Sequence, residues 1–255
     1  MKSVWVIARL SILENSRKQV FHVLCLIMLA VIAGSTLLSI FTEGVKIKML
    51  KDLCMTCILF AGAVLSIGLA STGIPNDIDS RVVYPILARP IARWHYVFGK
   101  FLGTAATVAL AIAALSVVFC ALIYCHQGHI DSFLATAALF AMLEAAVISA
   151  VAITLSTFTS TAVAALLSFM VYLFGTIKIG YLSKVLEKSP NSIAKTCGTV
   201  LYHVLPNLEC FNLKAALVHG NSVPISYLLL VFSYGVCYTA FAVGAAALIF
   251  RGREV

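Results

Sequence analysis

The residues with the greatest chemical reach lie between two apolar stretches. The segment Ile74-Pro-Asn-Asp-Ile-Asp-Ser-Arg-Val-Val-Tyr-Pro-Ile-Leu-Ala-Arg-Pro-Ile-Ala-Arg-Trp-His-Tyr-Val-Phe-Gly-Lys100 carries Arg81, Arg89 and Arg93. A guanidinium is planar, always charged and a bidentate donor, so such a cluster suits carboxylate or phosphate partners. Val82, Val83, Ile86 and Leu87 recur at helical spacing, which gives one apolar face. Pro85 and Pro90 hold any helix there to short pieces. Composition leaves two readings: short amphipathic helices that a partner grips, or a lipid-facing loop that fixes topology.

Other candidates are sparser. Glu144, in Ala141-Met-Leu-Glu-Ala-Ala146, is an acid inside an apolar run. An ionisable group at bilayer depth is expensive and should face protein or water. A gating or substrate role competes there with a hydrogen-bonded packing role, and packing is favoured. Tyr172, Tyr234 and Tyr238 line a pathway or pack, again with packing favoured. Cys54-Met-Thr-Cys57 has CxxC spacing without a second ligand pair. Cys25, Cys54, Cys57, Cys120, Cys125 and Cys237 read as small buried hydrophobes. Cys197 and Cys210 fit an external disulfide or two thiols. His126, His129 and Asp131 are one ligand short of a metal site. Asp77-x-Asp79 is too sparse for a metal-dependent lipid transferase, and no H-E-x-x-H is present for a metalloprotease. Gly99-Lys100 lacks the upstream glycine of a phosphate-binding loop and opens an apolar run.

The elements positioning these residues are set by composition. The chain has 255 residues, 62% hydrophobic and 11% charged, with a mean hydropathy of +1.03. A soluble domain has about 25% charged residues. This composition excludes a soluble enzyme, a disordered chain and a coiled coil, and points to an all-α integral membrane protein. The formal charge of +8 fits basic residues flanking spans and meeting anionic lipid, not nucleic acid.

Six apolar stretches predict six transmembrane helices: Val20–Phe41, Leu53–Gly73, Phe101–Tyr124, Phe133–Leu155, Ala162–Ile179 and Ile225–Phe250. All the arginines lie in the N-terminal segment (Arg9, Arg17), the loop 74–100 and the tail (Arg251, Arg253). An even span count places these on one face, and the positive-inside rule makes it cytoplasmic. Both termini are therefore expected inside. Residues 1–19 mix Val4, Trp5, Ile7 and Leu10 with charged side chains, as an amphipathic helix in the interface does. Residues 180–224 suit short helices dipping into the outer leaflet. Small residues, Gly103-Thr-Ala-Ala106 and Ala240 to Ala247, mark close helix contacts.

Leu87-Ala-Arg-Pro-Ile-Ala-Arg93 followed by Tyr96-Val-Phe-Gly-Lys100 resembles the signature after the second span of type-2 ABC transporter permeases. The likeness extends to the six-span layout and to Leu205-Pro-Asn-Leu-Glu-Cys-Phe-Asn-Leu213. The branch it most resembles accompanies nitrous oxide reductase maturation. The resemblance implies a single permease domain over residues 1–255 in the cell membrane (the inner membrane, where there are two). It implies a paired permease, either a second copy or a homologue, and a separate ABC ATPase subunit. In it, residues 1–19 are a connecting helix and 180–224 are external re-entrant helices. The loop is a coupling helix, docking through Arg81, Tyr84, Leu87, Arg89, Pro90 and Arg93. The chain is then not an enzyme and holds no cofactor, because ATP and magnesium belong to the partner. Export is the implied direction. The rival classes are an ion-gradient transporter or channel and, behind it, an intramembrane enzyme.

Overall fold

A computed structural model describes residues 2–18, 43–81, 93–127, 133–177, 205–219 and 223–252, with a few isolated positions between 22 and 34. The described elements are helical. They are α1 (Lys2–Ser16), α2 (Glu43–Asp79), α3 (Arg93–Gln127), α4 (Phe133–Ser156), α5 (Thr161–Ile177), a 3-10 turn (Glu209–Phe211), α6 (Lys214–His219) and α7 (Ile225–Gly252). Helices α2, α3, α4 and α7 are long and apolar enough to cross a membrane. α5, with 17 residues, is shorter. The predicted first span, Val20–Phe41, lies outside the described residues apart from isolated helical positions.

Two helices run well past their predicted ends. α2 has 37 residues and α3 has 35. At 1.5 Å per residue each spans roughly 50–55 Å, against a hydrocarbon core of about 30 Å. Their ends must therefore project or tilt. Pro75 does not stop α2, which continues to Asp79. Proline is tolerated in such helices where neighbouring groups re-satisfy the backbone. Pro75 leaves the Ser71 carbonyl without its helical N–H, and one turn earlier the Ser71 and Thr72 hydroxyls donate to the Gly68 carbonyl at 3.5 and 3.0 Å. The loop joining α2 to α3 is accordingly narrower than residues 74–100, because helix enters it from both sides.

Helices α2, α3 and α4 enclose the main core, with Met55, Ile58, Ile112, Phe119, Ala145 and Ile148 buried. A second core lies nearer the loop, around Ile74, Tyr96, Val97, Ile153, Ala246 and Phe250. Hydroxyls tie helices across these cores. Ser66 Oγ donates to the Ala145 carbonyl at 3.0 Å, and Thr154 Oγ1 donates to the Ala242 carbonyl at 3.0 Å.

Helix α1 lies along α3. A Cβ added at Gly99 would sit 2.8 Å from Ile7 Cβ, and one at Gly103 would fall on the Ser11 side chain. The pair of glycines four residues apart thus receives Ile7 and Ser11, also four apart, at backbone-to-backbone range. Trp5, Val6, Leu10 and Leu13 face away and are exposed. Ile7, which the sequence grouped with the apolar face, is instead buried against α3. Cys125 and Cys237 are exposed rather than buried as predicted, while Cys54 is buried as expected. Their helix faces point away from the bundle, where an apolar lipid surface accepts a thiol as readily as a core does.

Candidate functional site

The site grows out of the overlong ends of α2 and α3. Each carries one charged group that an apolar bundle cannot leave unpaired. Lys100 Nζ lies 2.8 Å from Asp77 Oδ2 and 3.1 Å from Glu14 Oε2. The Lys100 and Asp77 side chains are only 7% and 10% exposed. The Tyr96 hydroxyl donates to the same Asp77 oxygen at 2.6 Å. Lys18 extends the network, with Nζ 3.4 Å from Glu14 Oε1 and donating to Thr72 Oγ1 at 3.2 Å. One clasp, buried at Lys100 and Asp77 and partly exposed at Glu14, therefore joins α1, α2 and α3 where the loop begins and ends. Glu14 is partly buried, which raises the cost of its charge, but Lys100 and then Lys18 outweigh that and hold its carboxyl below the usual carboxylate value.

The predicted docking residues flank this clasp. Arg81 follows α2, is exposed, and holds φ at 57°. Its N–H donates to the Ile78 carbonyl at 3.0 Å, a left-handed helix end that glycine usually supplies. Arg93 opens α3 and donates through Nη1 to the carbonyls of Arg251 at 3.1 Å and Phe250 at 3.5 Å. It thereby caps the last turn of α7, a role unread in the sequence. Tyr84, Leu87, Arg89 and Pro90 lie outside the described residues.

Glu144 stands midway along α4 and is 6% exposed. Its Oε2, like Asn207 Oδ1 in the segment before the 3-10 turn, is buried and has no hydrogen-bond partner among the described residues. The 205–213 segment folds into the bundle. Leu208 N–H donates to the Gly175 carbonyl at 3.2 Å, Asn207 N–H donates to Tyr234 Oη at 2.8 Å, and Phe211 is fully buried. Tyr238 lies beside Tyr234, with ring centroids 6.0 Å apart and planes tilted by 46°. Lys214 Nζ pins the following helix to Asp52 at 3.2 Å. His126, His129, Asp131 and Cys197 lie in positions whose side chains are outside the described residues.

Helical packing of this kind is common to many membrane proteins, so the family has to come from the chain as a whole. Residues 5–242 match the ABC-2 family transporter protein. The chain belongs to that family. No curated protein matches it. In this ABC-2 transporter protein the family match spans α1, the clasp, Glu144 and the segment folded beneath α7.

The clasp was missed as a unit in the sequence. Glu14 read as a charge on an amphipathic helix, Asp77 as half of a sparse acid pair, and Lys100 as the end of a motif. The available signal was symmetry: one acid and one base, each just inside the helix that flanks the arginine loop.

Proposed function

We propose that this ABC-2 protein is the membrane-spanning permease subunit of an exporter, driven by a separate ABC ATPase that holds the loop between α2 and α3. Two permeases, identical or homologous, enclose the pathway, and the arginine-bearing loop and both termini face the cytoplasm. α1 serves as the connecting helix at the inner interface, with Trp5 and Leu10 toward lipid. The 205–219 segment closes the outer end. The loop motif also favours the branch that serves nitrous oxide reductase maturation, without setting the cargo.

The observation that carries this reading is the buried clasp. Lys100, Asp77 and Glu14 bind both flanks of the loop to α1. Load placed on the loop therefore reaches three helices together. Closure of the ATPase pair on ATP would push two such loops and tip the bundle between two packings, a bistable element biased by a ligand. The chain itself supplies no phosphate cradle at Gly99-Lys100. Gly99 is pressed against Ile7 and Lys100 is engaged by two carboxylates.

The docking role is tested by Arg89→Glu and Arg93→Glu, each co-purified with the ATPase. Both variants insert in the membrane and lose ATPase. Arg93→Glu also loses thermal stability, because its cap on α7 is removed. Normal co-purification and normal coupled hydrolysis in both variants would overturn the docking role. A second reading, transport on an ion gradient, draws on Glu144 Oε2, buried and without a hydrogen-bond partner among the described residues. Transport that persists without any ATPase would favour it.

A further inference from the structure

On another side of the same end of the bundle, α3 and α7 line a groove between them. Trp94, Phe98 and Phe101 of α3 form one wall, and Ala240, Gly244 and Ala247 of α7 form the floor. Its volume is about 460 Å³, within the range of small-molecule sites, about 300–1,000 Å³. A neighbouring cavity shares Trp94, Gly244 and Ala247 and carries the groove on to Arg93 and Arg251. Apolar walls thus run lengthwise along two spans and end at positive charge. Arg251 is exposed, and Trp94 is 54% exposed beside it. Aromatic and basic side chains at one depth are what a headgroup region meets.

We propose that this groove holds one anionic phospholipid, its chain along Ala240, Gly244 and Ala247 and its phosphate at Arg251, with Arg93 adding field at the mouth. The missing side chains of the small residues make room for the chain, and the exposed guanidinium offers bidentate donors to phosphate. A second copy of the protein fits less well. A two-fold interface buries the same patch on both copies, so it would gather Arg93 and Arg251 from each copy into one apolar seam. Charge complementarity at the mouth decides for the lipid. The inference does not depend on transport or on an ATPase.

Trp94 is a built-in reporter, because the only other tryptophan is Trp5. The Trp5→Phe chain is reconstituted in phosphatidylcholine bilayers containing increasing fractions of brominated phosphatidylglycerol, and in parallel brominated phosphatidylcholine. Quenching of Trp94 should favour phosphatidylglycerol by about fivefold or more, the preference expected from an interfacial arginine. Arg251→Glu should bring the two lipids level. Ala247→Phe, which fills the groove, should weaken quenching by both. Native mass spectrometry should retain phosphatidylglycerol on the parent and lose it from Arg251→Glu. Equal quenching by both lipids on the parent, the mark of a general lipid annulus, overturns the proposal. So does Trp94 that neither lipid quenches, which would mean that a second copy or the first span covers the groove.

Discussion

Replacing Lys100 by Met tests the clasp most sharply. Lys100 Nζ contacts Asp77 Oδ2 at 2.8 Å and Glu14 Oε2 at 3.1 Å. Without it the two acids fare differently. Glu14 is 38% exposed and rehydrates, whereas Asp77 is 10% exposed and stays in the bundle. Breaking a buried pair by removing one partner costs about 3–5 kcal/mol, because the other charge is stranded. The Tyr96 hydroxyl still donates to Asp77 at 2.6 Å, which sets the expected loss at the lower end, about 3 kcal/mol. For a chain of this size each kcal/mol shifts the midpoint by about 2–4 °C, so Lys100→Met should melt roughly 6–12 °C early. The double variant Lys100→Met/Asp77→Asn removes the stranded charge but keeps an acceptor for Tyr96. Its loss should fall to about 1 kcal/mol. Thermal unfolding in detergent is followed by loss of helical circular dichroism. If Lys100→Met melts within about 1 °C of the parent, the clasp carries no load. If the double variant melts as early as the single, the loss is of packing and not of charge pairing.

The remaining predictions concern α1, the loop and the core. Glu14 has a carboxyl held low in the folded chain by Lys100 and Lys18, against its partial burial. Its contribution is therefore complete above the ordinary carboxylate range and is lost as pH falls through the lowered value. The protection of α1 amides, corrected for the intrinsic pH dependence of exchange, should fall on acidification in the parent and be low at all pH in Glu14→Gln; acid-independent protection in the parent would contradict this. Arg81→Gly relieves the left-handed backbone at φ 57° and should raise stability by about 1 kcal/mol while weakening ATPase capture, read by melting and pull-down. Glu144→Met removes a buried carboxylate whose Oε2 has no partner among the described residues. It should stabilise the chain by about 1–2 kcal/mol and leave transport-coupled ATP turnover unchanged, as a packing residue would; depressed turnover would place Glu144 in the pathway.

How legible the fold was depended on the range of the interactions. Apolar runs such as Phe133–Leu155 read directly, because the bilayer demands length and hydropathy that a sequence displays locally; α4 ends at Ser156, one residue beyond. The end of α2 was misplaced at Gly73 because Pro75 is a helix breaker in water, where no buried bundle compensates for it. The clasp was invisible for a different reason. Glu14 and Asp77 are far apart in sequence and share Lys100 only because Gly99 and Gly103 let α1 settle on α3. Pairing across that distance follows from packing, not from periodicity. Arg93 shows the same limit: its charge was legible, but its grip on the carbonyls of α7 required the last helix to return beside the loop.

The central claim is that this ABC-2 protein transmits force and generates none. ATP hydrolysis in lipid nanodiscs, measured on the purified chain and then on the chain with its ATPase, tests it directly. The account predicts no turnover by the chain alone, turnover in the complex, and a Lys100→Met complex that still assembles but no longer changes its rate with the permease present. Hydrolysis by the chain alone, or coupling untouched by Lys100→Met, would contradict it.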